Sequence, residues 1–153
     1  MHQPNLRSVL PLSERGSASE ARLPRSCQDD FSPALLAILN QLRLAALACR
    51  TSARTDLFEA CAVLSTTPQI AKSAYIETLT RCLAQAMGQT PTLFRPGVAE
   101  VSFDEAWLLR AAEAVQNHDS NSFTFLIRSR IPPEHRRNLG YLIGTISEHF
   151  RLI

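Results

Sequence analysis

The sequence predicts an all-α protein, an irregular bundle of about five or six helices behind a disordered N-terminal leader. Three observations carry this expectation. Apolar residues recur at i, i+3/i+4 spacing in successive stretches between Leu35 and Phe150. Helix-start and helix-stop residues sit at the ends of those stretches. The apolar fraction of 45% against 20% charged residues supports a packed core, whereas residues 1–28 contain only short apolar pairs. At 153 residues the chain is long enough for one core and short for two, so a single domain is expected over 29–153.

The leader holds Pro4, Pro11, Pro24, Gly16 and five serines, and it cannot bury enough surface to offset the entropy of ordering it. Its arginines and serines resemble an export or transit signal in composition. Glu14 and Glu20, and the lack of amphipathic period, favour a disordered tail.

The first helix is expected to begin at Ser32 as N-cap with Pro33 at N1, and Asp29 and Asp30 stand where they could meet its positive end. Leu35, Ile38, Leu42, Ala45 and Cys49 form one face. Leu36, Leu39, Leu44 and Leu47 make the helix apolar nearly all round, which places it at the centre of the bundle. Asn40, Gln41 and Arg43 within it argue against a membrane segment.

Asp56 and Glu59 have capping-box spacing for a short second helix through Leu64. Thr67 and Pro68 start a third, carried by Ile70, Ala74, Leu79, Leu83 and Ala86 and stopped by Gly88. Gln89 to Val101, with Pro91, Pro96 and Gly97, is the longest structureless connection expected inside the domain, with Leu93 and Phe94 anchoring it to the core.

Ser102 and Glu105 form the clearest capping box in the chain. Trp107, Leu108, Ala111 and Val115 are assigned to the core side of the helix that follows, and Glu105, Glu113 and Gln116 to the opposite side. After the turn Asn117-His118-Asp119-Ser120, Asn121 or Ser122 is expected to cap a helix over Phe123–Arg130. Pro132-Pro133 then ends that helix and begins the last, whose inward stripe is Leu139, Leu142, Ile143, Ile146 and Phe150.

Catalytic motifs are absent. The four cysteines, Cys27, Cys49, Cys61 and Cys82, are spaced by 22, 12 and 21 residues without a C-x-x-C pair, and the last three fall within apolar helical patterns, which fits free, buried thiols in a reducing, cytoplasmic setting. His135 and His149 are 14 residues apart, roughly 21 Å along one helix, too far to share a metal ion. His118 and Asp119 are neighbours in a turn with no nucleophile related to them. The expectation is therefore a non-enzymatic protein with no cofactor and no metal.

Two features remain after these structural assignments. Arg128, Arg130, Arg136 and Arg137 bracket the Pro132-Pro133 turn, and the charge changes from −3 over 101–121 to +3 over 122–153. These arginines are either a solvated junction with local ion pairs or a basic contact for an acidic partner. Gly140 and Gly144 lie one turn apart on the last helix, each at a cost of about 1 kcal/mol in helix propensity, which suggests close approach by another helix or a dimer face. The expected function is a helical interaction or regulatory module that binds a protein partner through the arginine junction, with self-association as a related possibility. A nucleic-acid-binding regulator using the C-terminal helix pair and an exported effector are the alternatives; the net charge of +2 is too mild to favour the former.

Overall fold

The structure, a computed structural model, describes residues 26–49, 61 and 72–151. Five helices are present among them: α1 (Pro33–Cys49), α2 (Lys72–Met87), α3 (Phe103–Gln116), α4 (Ser120–Arg130) and α5 (Pro133–Phe150). The expected Asp56–Leu64 helix, the Thr67-Pro68 start and the leader through Arg25 lie outside the described residues. Cys61 is described singly; it is helical and buried.

Local start signals act where the sequence places them. The Ser32 hydroxyl accepts from the Leu35 amide at 3.3 Å, and Pro33 opens α1. Gly88, at φ +71°, follows α2 in the left-handed region that ends helices. The Ser102 hydroxyl accepts from the Glu105 amide at 3.1 Å while the Glu105 carboxylate takes the Ser102 amide at 2.9 Å, completing the box. Asp29 and Asp30 act differently from expectation. They belong to a 3-10 turn at Gln28–Asp30, and Asp30 accepts from the Cys27 amide at 2.9 Å instead of serving α1.

A two-residue antiparallel pair, β1 (Ser26–Cys27) with β2 (Glu100–Val101), ties the segment before α1 to the connection before α3. Ser26, Cys27 and Gln28, which composition assigns to the leader, are thus part of the folded unit.

The core draws on all five helices. α5 packs against each of the other four, and its Leu139, Leu142, Ile143, Ile146 and Phe150 are all buried. α3 is buried on most of its circumference, with Trp107, Leu108, Leu109, Ala111 and Ala112 inside. Leu35, Ile38, Leu39 and Leu42 of α1 are buried, but Leu44 and Leu47 remain about half exposed, so α1 is not the central helix that its apolar composition implies. Among the described residues no helix is long and apolar enough to cross a membrane.

Candidate functional site

The most highly organised polar cluster couples α1, the 88–102 connection and the start of α3. Arg43 and Glu105 are buried side by side, with both side chains fully inaccessible. Arg43 donates from Nε to Glu105 Oε1 at 2.9 Å and from Nη2 to Oε2 at 3.0 Å, the two-pronged geometry that planar guanidinium and carboxylate groups favour. Its remaining donors reach the Val98 carbonyl at 2.6 Å and the Glu100 carbonyl at 2.7 Å. Glu105 also accepts from the Phe94 amide at 2.8 Å. Two buried charges therefore satisfy each other and the backbone of an otherwise irregular segment.

This overturns the assignment of Glu105 to the solvent side of its helix. The sequence spacing that identifies the capping box concerns only the neighbouring amide; the partner that draws Glu105 inward is 62 residues away. Arg43 was legible only as a polar interruption in α1. The 89–101 connection is held down along its length, since Asp104 also accepts from the Thr92 amide at 2.6 Å and Gln28 donates to the Val98 carbonyl at 2.8 Å. Leu93 packs against the core, as expected of an anchor.

The structure divides the four candidate arginines. Arg130 turns back onto α3, ion-paired with Asp104 at 2.5 Å, with its guanidinium over the rings of Phe103 (5.1 Å) and Trp107 (5.4 Å). Arg136 donates from Nε to the Ile131 carbonyl at 2.8 Å and closes the end of α4. Arg128 and Arg137 are exposed. The junction is thus half internal bracing and half open cation.

Gly140 and Gly144 also separate. A methyl at Gly140 would meet the edge of the Phe123 ring at 3.7 Å, an ordinary contact; at Gly144 it would meet nothing within 4 Å. No described helix approaches closely enough to require either glycine.

The α3–α4 turn differs from its expected form. Asp119, not Asn121 or Ser122, is the N-cap of α4, and both its carboxylate oxygens accept from Ser122. Those bonds, from the hydroxyl first and then the amide, hold the Asp119 carboxyl below the usual carboxylate range. His118 is exposed and has φ +55°, where a histidine occupies the left-handed position that closes α3. Its amide donates to Val115 and that of Asp119 to Ala114, the paired bonds of a Schellman end. The adjacency of His118 and Asp119 in sequence is thus explained by two helix ends.

Beside this turn a groove of about 340 Å³ runs between α3 and α4, lined by Arg110, Ala114, Asn117, Ser122, Phe125 and Leu126. Phe125 is 72% exposed at its edge, and Phe103, two turns before Arg110 on α3, is 66% exposed. Sequence reasoning did not single out either residue, because each falls within a helix whose other apolar side chains turn inward. Trp107 lies beneath, 5% exposed, with its indole N–H donated to the Leu126 carbonyl at 2.9 Å.

Elsewhere, Tyr75 and Tyr141 hydroxyls lie 3.4 Å apart, and this bond, together with burial, raises the Tyr75 pKa. Burial likewise raises the Cys61 thiol. Among the described residues no three His, Cys, Asp or Glu side chains cluster as metal ligands. Comparison with protein-family models, curated proteins and solved structures finds no match.

Proposed function

We propose that this chain is a non-enzymatic helical interaction module that binds a protein partner through the outer face of α3 and α4 and the open cations of the α4–α5 junction. The observation that carries this reading is the exposure of Phe103 and Phe125, the two most exposed large hydrophobic side chains among the described residues. Phenylalanine rings held in water beside a groove are typical of contact surfaces, where aromatic anchors supply much of the binding free energy. Arg128 lies one helical turn beyond Phe125 and is exposed, so an apolar anchor and a cation occur together. Arg130 and Arg136 support this surface from beneath instead of contacting the partner.

Nucleic-acid recognition is less favoured by the same arrangement. Two of the four junction arginines are committed internally, and the first turn of α5 retains Glu134 beside Arg137. The test uses the full chain as bait, with Phe103→Ser/Phe125→Ser and Arg128→Glu/Arg137→Glu variants whose circular dichroism matches wild type. A specific partner retained by wild type and lost by both variants supports the reading. Equal recovery by all three sinks it. Retention on heparin that falls steeply with salt would instead favour nucleic acid.

A further inference from the structure

Three arginines that reach solvent on the described helices carry their counter-charge one turn away. Arg81 pairs with Glu77 at 2.6 Å, Arg110 with Glu113 at 2.9 Å and Arg151 with Glu148 at 3.5 Å. Arg128 is exposed and makes no ion pair with a described residue. α4 contains no acidic residue at all, and the position four before Arg128, where a glutamate would reach it, is Thr124. The acids of the neighbouring turn are already engaged, Glu113 by Arg110 and Asp119 by Ser122.

Beside Arg128 the outside of α4 is neutral. Asn121, Thr124 and Phe125 lie within two turns of it on the same side and are exposed, Phe125 to 72%. One uncompensated cation stands next to one uncovered aromatic ring.

We infer that this stripe of α4 receives an acidic segment of a partner protein, with a carboxylate on Arg128 and an apolar side chain of the same segment over Phe125. The inference rests on the reading of the α3–α4 face as a contact surface and names the chemistry of what it contacts. A planar guanidinium takes both oxygens of a carboxylate. An apolar contact at the ring, roughly 5–6 Å along the helix, keeps water from one side of that pair and strengthens it. A basic segment reaching the ring would be repelled by Arg128, and a neutral one would cover Arg128 without a charged partner. A nucleic-acid backbone calls for several phosphate contacts in succession, whereas the side chains that precede Arg128 on this stripe are neutral.

A displayed library of random peptides, selected against the full chain, tests it. Wild type should enrich peptides that hold Asp or Glu within a few positions of a large apolar residue. Selection against Arg128→Glu should exchange that acid for Lys or Arg, and selection against Phe125→Ser should abolish the apolar preference. The tightest wild-type peptide, synthesised and titrated, should bind Arg128→Gln about tenfold or more weakly. The same peptide with its acid replaced by the amide should bind wild type with similar weakness. Both side chains face solvent, and circular dichroism confirms that each variant folds. Peptides that need Phe125 but carry no acid overturn the acidic partner and leave the face as a contact surface. Peptides indifferent to both substitutions, or no enrichment at all, overturn the acidic partner and the contact surface together. Duplex DNA bound through Arg128, with no acidic peptide selected, overturns it in favour of nucleic acid.

Discussion

Arg43 and Glu105 form a fully buried, two-pronged ion pair that spans 62 residues and holds the connection between α2 and α3. The pair replaces water around both charges with four direct acceptors and donors of the chain itself. Removing one partner strands the other. Arg43→Met should therefore cost about 3–5 kcal/mol, a large share of the roughly 5–15 kcal/mol that stabilises a typical domain. Glu105→Gln should cost less, because the amide oxygen can still accept from Phe94 or Ser102. In urea unfolding the double variant should be clearly less destabilised than the sum of the singles. Simple additivity would mean that the pair is not energetically coupled.

Gly144 offers the opposite experiment. Since a methyl there meets nothing within 4 Å, Gly144→Ala should stabilise the domain by about 0.5–1 kcal/mol through backbone entropy and helix propensity. Gly140→Ala should gain at least as much, because its methyl adds an ordinary contact with the Phe123 ring. Destabilisation at Gly144, or loss of self-association on that substitution alone, would identify this helix face as a contact between copies.

His118 occupies a left-handed position that costs a side-chain-bearing residue roughly 1–2 kcal/mol. Glycine removes that strain and returns part of the gain as unfolded-chain entropy. His118→Gly should raise the thermal midpoint, with a net stabilisation of about 0.5–1 kcal/mol. A lowered midpoint would show that the imidazole makes a stabilising contact that outweighs the backbone strain.

The Asp119 cap gives stability a defined acid limb. Its folded-state pKa is depressed, so its contribution is present above the ordinary carboxyl value of 3.8 and disappears as pH falls through the lower folded value. Asp119→Asn should flatten that limb. Ser122→Ala removes the largest cause of the depression, and the Asp119 carboxyl resonance should then titrate at higher pH than in wild type. An unchanged titration would mean that the Ser122 hydroxyl does not bind the carboxylate in solution.

What could be read from the sequence was whatever is decided within a turn of the chain. Ser32-Pro33, Ser102 with Glu105, Gly88 and the Leu139–Phe150 stripe all act locally, and each stands in the structure where its spacing places it. The misassignments concern side chains whose partners are remote. Glu105 looks solvent-facing until Arg43 arrives, and Arg130 cannot be distinguished from Arg128 until Asp104 lies beneath it. The cap of α4 failed for a different reason. Asp119, Asn121 and Ser122 are all competent N-caps, and the choice depends on how the preceding helix closes through His118. Phe103 and Phe125 were hidden because periodicity reports which side chains can share a face, not which face lacks a covering layer.

The indole of Trp107 is the sole one in the chain, and it is hydrogen-bonded to α4 while lying under the guanidinium of Arg130. That placement makes the domain its own optical probe. Indole emission comes from this one buried residue at the seam between α3 and α4, so slippage of that seam, by letting water reach the ring, shifts the colour of the emitted light without any label. A partner settling over Phe103 and Phe125 could thus be followed by fluorescence alone, on the unmodified protein and in real time.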